Sequence, residues 1–142
     1  IPVPHDAADT VGFRISTSEG EIAHLTDLGR IPDYLPEKIH DARAVILEFN
    51  HDIEMLAKGP YPSFLKERIA GNNGHLSNDT AAGFFIATDT PNLEALFLAH
   101  LSRTNNLPKL ALSAAQKAFD GNRPETKIII ADQFQQREII LP

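Results

Sequence analysis

The chain has 142 residues, enough for one domain with a modest core and too few for two ordinary ones. Hydrophobic residues make up 42% and the net charge is −6, a globular composition whose sign argues against non-specific binding along a nucleic-acid backbone but leaves room for a local cationic or metal-lined site. With no cysteine, disulfides and thiolate metal sites are excluded, and no apolar run approaches the ~18 residues of a membrane helix.

The β-rich runs VGFRIST (11–17) and EIAHLTD (21–27) are joined by SEG, whose Gly20 suits a hairpin turn. PDYLPEKIHDA (32–42) predicts a short helix with Pro32 at its start. ARAVILEFN (42–50) carries a nearly continuous apolar run and predicts a strand buried on both faces. DIEMLAKG (52–59) and SFLKERIAG (63–71) read as helices closed by Gly59 and Gly71, with Pro60 and Pro62 between them. Ser77 opens SNDTAAGFFIATD as an N-cap, with Asp79 in the first turn. LEALFLAH (93–100) is a buried strand or a short helix; Pro91 and the polar stop at 102 favour the strand. NNLPKLALSAAQKAFDG (105–121) is the clearest helix, with Leu107, Leu110, Ala111, Ala114 and Ala118 on one face and Gly121 at its end. TKIIIADQF and REIILP read as closing strands. Helices alternating with buried strands indicate an α/β layered fold with a mixed sheet.

The six histidines are unevenly placed. His5 follows IPVP, His51 follows VILEFN, His100 ends LEALFLAH, and His75 sits in the polar loop GNNG before a helix; Asp27 also ends a strand. Loops at strand ends are where α/β folds collect their sites, and histidine with carboxylate but no cysteine is the donor set of a hydrolytic zinc or manganese centre. His24 and His40 read as surface residues. His51 and Asp52 either support the site from behind its first layer or cap the following helix. Asn105 and Asn106 either hold the loop behind His100 or cap the last helix, and the cap is favoured. Ser77 reads as an N-cap whose helix terminus could also receive a phosphate. Arg103 could contact a phosphate or be a plain surface arginine, and Lys58, Lys66 and Arg68 lie near the same loops.

The strings HDAADTVGFRI, TDLG, EFNHDIEMLAKGPYPSFLKERIAGNNGHLSNDTAA and AHLSRTNN occur in this order and resemble the C-terminal half of a metallo-β-lactamase-fold hydrolase of the YycJ/WalJ-type exonuclease branch. The resemblance covers His5 to about Asn106 and weakens through the closing strands. It implies half of a four-layer αββα sandwich, residues 1–142 forming one partial domain with helices on the outer face of its sheet. It also implies a binuclear site of two divalent ions, zinc or manganese. His5 would bind the first metal, Asp27 would bridge both and His100 would bind the second. Glu48 and His75 resemble a proton-handling pair, with His75 as general acid to the leaving oxygen and Glu48 orienting it.

The family's H-x-H-x-D-H motif is absent; no H-x-H occurs in this sequence. His5 with Asp27, and Asp27 with His100, give each metal two protein ligands where catalytic zinc generally has about three. The expectation is a fragment, one that begins Ile-Pro-Val-Pro without methionine, binds metal weakly and catalyses little alone. The missing half or a second copy would cover the inner face of its sheet. The implied activity is a metal-dependent phosphodiesterase, a nuclease or exonuclease on nucleic acid. Two alternatives stand beside it: hydrolysis of a small ester, thioester or cyclic phosphodiester by the same fold, and a non-catalytic half-domain that serves as an interaction module. No export signal opens the chain, which fits the cytoplasm, and no membrane contact is expected.

Overall fold

The computed structural model describes residues 1–120, 125–132 and 134–140. Five strands form a single mixed sheet: β1 (Phe13–Thr17), β2 (Gly20–Leu25), β3 (Ala42–Glu48), β4 (Ala95–Ala99) and β5 (Lys127–Ile130), side by side in chain order. β1 and β2 are an antiparallel hairpin closed at Thr17–Gly20, where Gly20 takes φ +127°, a conformation that side chains resist. From β2 onward every pairing is parallel.

The helices fill the connections between parallel strands. α1 (Leu35–Ile39) lies between β2 and β3; α2 (Ile53–Lys58), α3 (Ser63–Ala70) and α4 (Asn78–Ala87) lie between β3 and β4; α5 (Pro108–Phe119) precedes β5. When parallel strands follow one another in order and every crossover has the usual right hand, the connecting helices fall on one face of the sheet. The core shows this. Ala23, Leu25, Val45, Leu47, Leu96 and Leu98 point to the face packed by Leu35 and Ile39 of α1, Phe84 and Phe85 of α4, and Ala111, Ala115 and Phe119 of α5.

The opposite face belongs to the alternate residues. Strand register aligns Phe13 with His24, His24 with Ile46, and Ile46 with Phe97, while Ile15 aligns with Ile22 and Phe97 with Ile129. None of these residues joins the core cluster. Phe13 and Ile15 are 55% and 49% exposed, and Ile22, Ile46, Phe97 and Ile129 are only half-buried. A row of large apolar side chains across five strands is more than a soluble monomer ordinarily leaves open.

Several details depart from the sequence reading. α1 starts at Leu35, with Pro36 rather than Pro32 in its first turn; Pro32 instead accepts a turn hydrogen bond from the Leu35 amide. α5 is rotated from the predicted face: Leu107 is exposed, Leu110 and Ala114 are half-buried, and Ala111, Ala115, Ala118 and Phe119 face the core. Its cap position is Leu107, without a side-chain cap, so neither Asn105 nor Asn106 fills that role; Gly121 lies outside the described residues. The run REIILP forms no strand over its described part, 137–140, and Ile140 is 90% exposed. No helix among the described residues is long and apolar enough to cross a membrane.

Candidate functional site

The carboxyl ends of three adjacent parallel strands, β2, β3 and β4, converge on one rim, where open α/β sheets place their ligands. Asp27 lies just beyond β2, Glu48 is the last residue of β3, and His100 directly follows β4. The loop before α4 brings His75 to the same point, and the segment before β1 brings His5.

Backbone shape aims two of these side chains. Asp27 has φ +59° and His100 φ +56°, left-handed conformations that are uncommon away from glycine. Each strand therefore turns sharply as it leaves the sheet, and surrounding bonds hold the turn. Asn50 clamps the His100 turn from both sides: its Nδ2 donates to the His100 carbonyl at 3.0 Å, and its own carbonyl accepts from the Ser102 amide at 2.8 Å. The turn after Asp27 packs so closely on the His75 loop that a Cβ on Gly29 would overlap the backbone of residues 71–74. The Gly29 amide donates to the Pro4 carbonyl at 2.9 Å, tying the His5 segment to the same point.

Glu48 organises the centre. It is fully buried, and its Oε1 lies 2.6 Å from Nδ1 of His75 and 2.7 Å from Nδ1 of His100. Its Oε2 accepts from the Leu28 amide at 3.0 Å. Burial would push this carboxyl up, but the hydrogen bonds from His100 and His75 more than offset that and hold it below its ordinary value. The same bond from Glu48 raises His100 above the usual imidazole value, against its own burial.

The third imidazole is fixed in the same way. Nδ1 of His5 lies 2.9 Å from the Gly74 carbonyl. Carboxylate and carbonyl oxygens only accept, so Nδ1 of His5, His75 and His100 each carry a proton, and in the neutral rings Nε2 holds the lone pair. This is the arrangement in which metal-binding histidines are found: one nitrogen donates to an oxygen behind it, the other is left for the ion. Asp27 sits between the outer rings, with Oδ1 3.8 Å from Nε2 of His5 and 3.8 Å from Nδ1 of His100. His75 is flanked by both, at ring-centroid distances of 4.9 Å to His5 and 5.2 Å to His100.

Donor atoms of His5, Asp27 and His75 lie within 4.8 Å of one another, and so do those of Glu48, His75 and His100. The first set has the composition and spacing to hold a divalent cation, so these residues fit a metal site; in the second, Glu48 already accepts the Nδ1 protons of both imidazoles and supports the rings from behind. The structure thus brings His5, Asp27, Glu48, His75 and His100 to one place. It also sets His75 beside potential ligands: with Nε2 bare it could join them, and with Nε2 protonated it is an acid.

The remaining sequence candidates have other surroundings. Asp52 caps α2, accepting from the Met55 amide at 2.9 Å. Ser77 caps α4 through the Thr80 amide at 3.1 Å. Asn105 is buried, and its carbonyl accepts from the Asp52 amide. Asn106 ties the end of β3 in place, donating to the carbonyls of Phe49 and Asn50 and pairing with Asn78. Arg103 stacks over the Phe134 ring at 4.7 Å. His51 is 3% exposed, and burial lowers its basicity. The other cations near the loops are engaged: Lys58 with Glu54, Lys66 with the Ala57 carbonyl, Arg68 with Asp6. His24 is half-buried on the open sheet face, and His40 is exposed beside Asp41 and Asp89. The sequence reading missed the Gly74 carbonyl, the Leu28 amide and the bracing role of Asn50; only the glycine- and asparagine-rich composition of these turns hinted at them.

No family model matches the chain. It is 35% identical over 118 residues to exodeoxyribonuclease YycJ of Bacillus anthracis, spanning 83% of this chain and 45% of that protein. It is 36% identical over 109 residues to exodeoxyribonuclease WalJ of Streptococcus pneumoniae serotype 2, spanning 77% of this chain and 40% of that protein. The chain resembles exodeoxyribonucleases. It spans less than half the length of the curated relatives it matches.

Proposed function

We propose that this chain is the C-terminal half of a metal-dependent DNA exonuclease built as a metallo-β-lactamase-type αββα sandwich, with the site described above as its share of the active centre. The observation that carries the reading is the convergence of three imidazoles and two carboxylates on one strand-end rim, each imidazole with its Nδ1 proton already committed to an oxygen. Similarity to named exodeoxyribonucleases supplies the substrate class, and the open sheet face supports a missing layer.

In this reading His5, Asp27 and His100 are ligands, with Asp27 shared between two ions. Divalent ions held there would offset charge on the scissile phosphate and activate water for its attack. Glu48 holds the rings of His75 and His100 in fixed orientation. His75, protonated on Nε2 as well, delivers a proton to the departing sugar oxygen, which is a poor leaving group as an alkoxide. The apolar residues of the open face pack against the other half of the sandwich, which also supplies the remaining ligands.

The test joins this chain to the upstream half of its gene product and measures metal content and digestion of end-labelled DNA. About two metals per chain and digestion from an end are expected. His75→Ala should lower the rate ~10²–10⁴-fold while keeping the metal content. Loss of metal in that variant would move His75 from the acid role to the ligand set, and a joined protein with neither metal nor cleavage would overturn the proposal.

A further inference from the structure

Next to the cluster lies a cavity of about 450 Å³ that the mechanism above does not use. It opens between α2, α3 and the start of α4, and His75 forms part of its wall, so cavity and cluster are continuous. Its volume falls within the ~300–1,000 Å³ typical of small-molecule pockets. Ile53, Leu56, Ala57 and Ala70 make its sides apolar. Ile53 is 52% exposed, which leaves its side chain open to an occupant of the cavity.

The cavity's polar lining comprises Lys66, Glu67, Ser77, Thr80, His75 and His51. The His51 ring is almost completely buried and borders the cavity, yet its Nδ1 has no hydrogen-bond partner. That nitrogen is itself sealed from a water-sized probe, so the ring meets the cavity by its other atoms. Charge helps to define the occupant. Lys66 and Glu67 both border the cavity and are opposite in sign, so their side-chain charges offset each other. The anionic part of a nucleotide belongs on the metal-binding rim, and the cavity suits a neutral, flat, largely apolar group with a polar edge.

We propose that this cavity receives the nucleobase of the strand terminus while the adjoining phosphate lies on the His5–Asp27–His75–His100 rim. The proposal rests on the nuclease reading above, deepening it to an end-recognition pocket. Apolar walls accept any base, and the few polar groups of the lining leave little to select among the four. The base is held by packing, and its position sets which phosphodiester reaches the rim.

The experiment titrates the protein with thymidine, thymidine 5′-monophosphate and inorganic phosphate, followed by amide NMR shifts and calorimetry. The proposal expects thymidine and its monophosphate to shift the amides of Ile53, Ala57 and Ala70, and phosphate alone to leave them unmoved. Ala70→Phe, at an exposed helix position on the cavity wall, should weaken the nucleotide at least tenfold and leave phosphate binding unchanged. Ala57→Trp serves the same purpose if circular dichroism shows Ala70→Phe misfolded. Equal binding of phosphate and nucleotide, or a nucleotide affinity indifferent to both fillings, overturns the proposal. Cleavage of DNA with a normal or an abasic terminal nucleotide, by the joined protein, separates the two readings. No cleavage of either, with nucleotide binding intact, sinks the nuclease reading and keeps the pocket; equal cleavage of both sinks the pocket and keeps the nuclease.

Discussion

Glu48 and His100 are joined by a 2.7 Å bond between a carboxylate with no solvent exposure and an imidazole that is 38% exposed. Because Oε1 also takes the proton of His75 and Oε2 that of Leu28, the carboxylate has a committed acceptor role at each oxygen. Glu48→Gln is therefore not a quiet change. Its amide must turn NH₂ either toward the Leu28 amide or toward the two imidazole N–H groups, leaving buried donors facing each other. The expected loss is about 1–3 kcal/mol of folding stability, measured by urea denaturation of the metal-free protein. A loss below about 0.5 kcal/mol would show that the bonds do not persist in solution.

Acidity gives a second test. His100 is raised above its ordinary value, so its contribution to stability is fully present below about pH 6.5 and fades as pH rises through the raised value. Glu48 is lowered, so its contribution is present above about pH 4.3 and fades as pH falls through the lowered value. The metal-free protein should be most stable between these limits. His100→Gln should flatten the alkaline side of a melting-temperature profile; an unchanged slope there would remove the bond from the explanation.

The backbone at Asp27 can be separated from its side chain. At φ +59° a glycine is at ease and an alanine is not. Asp27→Gly should be more stable than Asp27→Ala by about 1 kcal/mol, with both losing metal affinity to the same degree. Alanine equal to glycine in thermal melts would mean that the turn relaxes freely.

The open sheet face makes a prediction about association. Phe13→Thr with Ile15→Thr alters two exposed residues of a strand with no buried members, so the folding stability of this chain should move by no more than about 0.5 kcal/mol. Binding to the proposed other half, or self-association of this chain alone, should weaken strongly in light scattering. Unaltered association would place the interface elsewhere.

Local chemistry made much of this molecule legible. Ser77 announced its cap and Gly20 its hairpin, while Asp52 proved a cap where site support had stood beside it. The run Ala-Val-Ile-Leu announced a strand, but not one buried on both faces: Ile46 lies on the open side and is half-buried. Site histidines could be suspected from their places after apolar runs. Glu48 was harder: its partners stand 27 and 52 residues away, and nothing local distinguishes a strand-end acid in water from one sealed behind two imidazoles. The inward face of α5 depended on where Phe85 and Phe119 meet, a tertiary matter that the helical period leaves open by a fraction of a turn. The stretch at 137–140 has the residues of a strand but no neighbour to pair with, and strand preference without packing decides little.

The unbroken chain order of the five strands has a topological consequence. The helices α1, α4 and α5, one from each crossover, pack on the same side of the sheet, which leaves the other side bare among the described residues. A second layer can approach, seat and leave without threading any loop. The two halves of the proposed sandwich are then separable bodies, and a gene divided between them, expressed as two chains, should reassemble by simple docking.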